Sequence, residues 1–148
     1  MLTTMHRDIN TIVDMVNELE LIRRQLYDLR DVLKTKNSNK KLVTASNKLD
    51  TVLMTMEGKL VQLRYTGTGQ DDVRYPDMLA GKIGYLAGAV STADFAPADQ
   101  HKEVYAILKG LLTQYQNEMD GLLKGDVAMF MKQLEESGIK PIVMGWKK

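Results

Sequence analysis

The stretch MHRDINTIVDMVNELELIRRQLYDLRDVL, residues 5–33, sets Met5, Ile9, Ile12, Val16, Leu19, Ile22, Leu26, Leu29 and Leu33 at steps of three and four. That spacing returns to one side of an α-helix at every turn, whereas a half-buried strand would alternate by two. It predicts one unbroken helix from about Thr4 to Thr35 with a single apolar face. An isolated helix of this length is not strongly stable in water, so its stripe needs partners.

The partners follow directly. Lys36-Asn37-Ser38-Asn39-Lys40 is polar, and its Asn and Ser side chains favour a turn. Beyond it, Leu42, Ala45, Leu49, Val52, Met56, Leu60 and Leu63 repeat the helical step. Two helices joined by so short a loop form an antiparallel hairpin over about residues 4–64. Thr66-Gly67-Thr68-Gly69-Gln70-Asp71-Asp72 then breaks the pattern. Tyr75-Pro76 is expected to open a third helix over about 76–92, with Pro in the first turn and Leu79, Ile83, Leu86 and Val90 inward. Gly81, Gly84 and Gly88 share that helix. Each costs about 1 kcal/mol against Ala, so they are expected where two backbones approach closely.

After Ala93-Asp94-Phe95-Ala96-Pro97-Ala98-Asp99, the C-terminal helices are expected over about 98–136. The fourth carries Val104, Leu108, Leu111, Leu112, Tyr115, Met119 and Leu122 to about Lys124. Gly125-Asp126 should cap a short fifth helix with Val127, Phe130 and Leu134 inward, ended by Ser137-Gly138. The tail from Ile139 to Lys148 is expected to lie extended. The fold class is therefore all-α: an antiparallel up-and-down bundle of four main helices plus a short C-terminal helix, one domain over residues 1–148.

Composition narrows function. With 148 residues, 44% of them hydrophobic, the chain can bury a core. Twenty basic against 19 acidic residues leave a formal charge of +1, which supplies no overall field toward nucleic acid or an anionic membrane. Cys is absent, which excludes disulfides, thiol nucleophiles and thiolate metal sites. No apolar run is long enough to span a membrane. Residues Met1 to Arg7 lack the apolar core and cleavage site of a secretory signal, and the helical pattern starts at once, as expected either for a piece of a larger chain or for a cytosolic chain with a short leader.

Candidate chemistry is sparse. His6 and His101 fall in different helices with no Glu three residues before either, so the di-iron bundle pattern is missing. Asp99, His101 and Glu103 read as a solvated first turn, not as a metal cluster. Gly67-Thr68-Gly69 follows a helix and precedes no Gly-Lys-Ser/Thr, so it reads as an interhelical loop and not as a phosphate loop. Arg23, Arg24, Arg30, Lys34, Lys36, Lys40 and Lys41 gather near the hairpin turn against Asp28 and Asp31, without interleaved aromatics, and read as a solvated helix end. The expectation is a non-enzyme with no cofactor and no metal. Phe95 places an aromatic ring at a bend. Tyr75, Pro76, Phe95 and Pro97 are the candidate docking residues; the third helix sets its two flanking turns at opposite ends, so docking is expected at one end, with Phe95 the better anchor.

Thr68-Gly69-Gln70-Asp71, Tyr75-Pro76, Leu79, Lys82-Ile83, Leu86, Ser91 to Pro97, Asp99-Gln100, Glu103-Val104 and Leu108 together carry a resemblance. This pattern, with the long hairpin before it, resembles the C-terminal helical region of bacterial sortilin-like proteins, which are built on BNR/Asp-box repeat β-propellers and often labelled glycosyl-hydrolase-like. Ala98 departs from it, standing where Thr is expected. The resemblance implies a periplasmic or extracellular setting, with the propeller itself or another protein as partner and weak homo-oligomerisation of the isolated domain. It transfers no active site, because functional residues of such proteins would be sought in the propeller. The competing expectation is a free-standing cytosolic helical adaptor or assembly protein.

Overall fold

The computed structural model describes residues 1–36, 39–93, 96–139 and 145, and among them the fold is all-α, without strands. Helix α1 is Leu2–Lys34, α2 Lys40–Leu60, α3 Asp71–Arg74, α4 Leu79–Ser91, α5 Asp99–Leu122 and α6 Ala128–Glu136, with a π-helical turn at Leu123–Val127. No described helix is long and apolar enough to cross a membrane. The chain divides into two compact units. Unit 1 is Met1–Val16 with Glu57–Asn117, and unit 2 is Asn17–Met56 with Glu118–Lys148.

The stripe of α1 is inward as read: Met5, Ile12, Leu19, Ile22, Leu26 and Leu33 are fully buried, joined by Met15. Ile9, Val16 and Leu29 are half-buried. Leu29 lies about 300° round the helix from Leu26, on the edge of the stripe and not at its centre.

In unit 1, Ile83, Leu79, Leu86 and Val90 of α4 join Met5, Ile12 and Leu60 in the core. The Tyr105 hydroxyl of α5 donates to the Asp8 carboxylate of α1 at 2.6 Å. Burial, and then Asp8, push the Tyr105 hydroxyl up to about 12, so it stays a donor at neutral pH. In unit 2, Leu19, Ile22, Leu26 and Leu33 share the core with Leu49, Leu53, Met119, Val127, Phe130 and Leu134. Arg23 and Arg30 of α1 both reach Asp50 of α2, at 2.9 and 3.5 Å, which ties the register of the hairpin. These groups are about a quarter exposed, so each pair contributes no more than about 1 kcal/mol.

Four local expectations are corrected. Helix α2 ends at Leu60; Leu63 lies beyond it, exposed, with its methyl turned toward Gly58. Helix α4 begins at Leu79, not at Pro76: Met78 is its N-cap, extended at φ −93°, ψ −170°, and the first helical bond runs from the Lys82 N–H to the Met78 carbonyl at 2.9 Å. Gly84 and Gly88 do not mark a close approach of backbones: a Cβ at either would meet no described atom within 4 Å. Gly81 alone of the three has a close neighbour: a Cβ there would overlap the Asp77 carboxylate, which would have to shift.

The fourth correction concerns Gly125-Asp126, which do not cap a new helix. Leu122 and Ala128 both keep right-handed helical angles, and the helix runs on through the π turn. The wider turn returns Leu123 and Val127 to the face already held by Met119 and continued by Phe130 and Leu134, so all five are buried. The end at Ser137-Gly138 is as read. Gly138 takes φ +73°, its N–H donates to the Glu135 carbonyl and that of Ile139 to the Leu134 carbonyl, the bond pair of a Schellman cap. The extended tail proposed for Ile139 to Lys148 lies outside the described residues except at Ile139 and Gly145; the Gly145 N–H donates to the buried Glu18 carboxylate at 3.2 Å.

Candidate functional site

Asp71, in unit 1, organises the loop that precedes it. Its carboxylate accepts the backbone N–H groups of Thr66 and Gly67, each at 2.7 Å, and the hydroxyls of Thr66 and Thr68 at 2.9 and 3.3 Å. Gly67 takes φ +81°, a conformation suited to glycine, and so lets the loop close on the acid. Burial works to raise the Asp71 pKa, yet these hydrogen bonds outweigh it and hold the group below its ordinary range. The Gly67-Thr68-Gly69 loop thus wraps an anion, and that anion is the chain's own carboxylate.

The loop leads into the Tyr75-Pro76 turn. The Tyr75 N–H donates to the Asp71 carbonyl at 2.8 Å, and the Pro76 carbonyl accepts the Gln62 amide at 2.8 Å. Tyr75 is half-buried and Pro76 exposed. Asp77 accepts the Tyr65 hydroxyl at 2.7 Å, and that bond is the main cause pushing the Tyr65 hydroxyl up to about 12. Its carboxylate also lies against Gly81 at the start of α4.

From there a groove of about 440 Å³ opens between α4 and the first turns of α5, lined by Asp77, Lys82, Leu86, His101, Val104 and Leu108. Asp77 follows Pro76 by one residue and His101 follows Pro97 by four, but Tyr75, Pro76 and Pro97 do not themselves line the groove. Tyr85, 79% exposed, also lines it, and Val104, expected inward, is 41% exposed. Ile107, 66% exposed, stands one turn beyond Val104 on the same side of α5. Pro97 is half-buried; Phe95 lies outside the described residues.

The acid and imidazole groups here do not assemble. Asp99 pairs with Lys102 at 2.9 Å, which lowers its pKa, and no group of three metal-ligating side chains exists among the described residues. His6 is exposed on α1 in the same unit. Sequence reasoning missed Tyr85 and Ile107. Their signal was an apolar residue standing off its helix's own stripe, one position before Leu86 and one before Leu108.

No family model matches the chain, and neither a curated protein nor a solved structure matches it.

Proposed function

We propose that this chain is a non-catalytic interaction domain, the helical accessory part of an exported protein of the sortilin-like BNR/Asp-box propeller kind, which docks on its own propeller or on another protein. One observation supports docking most directly: Tyr85, Val104 and Ile107 leave their side chains in solvent beside an apolar-floored groove. Apolar side chains gathered in this way on a polar surface favour protein contact, and an aromatic residue beside a pocket is the commonest anchor. Tyr75, Pro76 and Pro97 do not line the groove, whose nearest lining residues in sequence are Asp77 and Gln100, and they are proposed as flanking contacts only.

The test begins with the open reading frame around this chain. Upstream Asp-box repeats would supply the propeller, to be expressed separately and titrated with the wild-type domain and with Tyr85→Ala and Phe95→Ala variants. Binding that weakens in either variant supports the reading. A reading frame without repeats turns the case to the free-standing adaptor, and absence of binding at high micromolar concentration removes propeller docking.

A further inference from the structure

Residues 32–49, around the α1–α2 turn of unit 2, contain five lysines and no acidic side chain. Lys34, Lys36, Lys40, Lys41 and Lys48 are all exposed. None makes an ion pair among the described residues. Of the nearest acids, Asp31 stands exposed three residues before Lys34, Asp126 lines a groove with Lys48, and Asp50 is occupied by Arg23 and Arg30. Lys34 and Lys36 stand at the C-terminal end of α1, where the helix dipole favours cations. Lys40 and Lys41 open α2, whose first turn holds no acid, and there the same dipole opposes them. A solvated helix end therefore accounts for the first pair and leaves the second unexplained.

We propose that this end of unit 2 is a docking surface for an acidic polypeptide segment. Carboxylates arriving there would neutralise the lysines and bring negative charge to the start of α2, where the dipole favours it. The free cations at the turn are all lysines, compact point charges without the planar fork that suits bidentate phosphate contacts. Tyr27, the one aromatic residue in 17–56, already has the Arg30 guanidinium over its ring at 5.5 Å, which disfavours base stacking. Val32 is the single large exposed apolar side chain beside the lysines, too little for insertion into a membrane. The surface belongs to unit 2, so its failure leaves the unit 1 groove untouched.

The whole chain should be titrated into a labelled poly-glutamate peptide and followed by fluorescence anisotropy at low and at physiological salt. Saturable binding should weaken as salt rises. It should fall at least about tenfold in a K34E/K36E/K40E/K41E variant and survive in the corresponding four-arginine variant. In the glutamate variant the acids at the start of α2 are favoured by its dipole and those at the end of α1 are opposed, so the two effects offset and a melt should leave the variant folded near the wild-type midpoint. Equal peptide binding by wild type and the glutamate variant would overturn the proposal. So would tighter lysine-dependent binding to a DNA duplex or to phosphatidylserine vesicles than to the peptide.

Discussion

Asp71 holds its loop through four hydrogen bonds, and its lowered pKa means that folding favours the carboxylate form. That contribution is present above the unfolded value of about 3.9 and is lost as pH falls through the folded one. Asp71→Asn should therefore melt below wild type at neutral pH, with the gap narrowing as the solution is taken below about pH 4. A gap that stays constant down to strong acid would show that the charge is not what anchors the loop. Burial sorts the leucines of α1 in a similar way. Leu26→Ala should cost about 2 to 5 kcal/mol. Leu29→Ala, at the half-buried edge, should cost about 1 to 2 kcal/mol, and the exposed Lys36→Ala should stay within about 0.5 kcal/mol. Equal losses for the two leucines in a denaturant titration would refute this register.

At the scale of the element, α4 tests whether its glycines serve packing. Gly84 and Gly88 have open space where a Cβ would be, so Gly84→Ala and Gly88→Ala should each raise stability by up to about 1 kcal/mol through helix propensity. Gly81→Ala should lower it, because the added methyl displaces the Asp77 carboxylate that receives Tyr65. If thermal melts show all three substitutions destabilising, the glycine face is covered after all. These roles could not be read from spacing: a glycine on a helix has the same periodicity whether it faces solvent, a backbone or a carboxylate.

For the whole molecule, the apolar groups at the unit 1 groove should make the isolated chain associate weakly with itself. Sedimentation velocity should show a weight-average value that rises with concentration, and Tyr85→Lys with Ile107→Lys should suppress the rise. A rise unaffected by those substitutions would place the contact elsewhere. The +1 net charge conceals an uneven distribution, with five lysines and no acid between Asp31 and Asp50.

The sequence by itself determined the long helices and most of their buried faces. Steps of three and four bring apolar residues to one side of a helix whatever lies opposite, and so Leu19, Leu53-adjacent Leu49, Ile83 and Leu134 could be placed inward before any contact was known. The Gly138 cap was legible for the same reason, because a left-handed residue closing a helix is a local requirement. Only the tertiary structure decided which elements meet. The bond of Tyr105 to Asp8 joins residues 97 positions apart, and the groove that joins Asp77 to His101 depends on how α4 and α5 pack. Whether a stripe's neighbour, such as Tyr85 or Ile107, is covered or left in solvent depends on the partner helix, and periodicity along one chain segment carries no information about that partner.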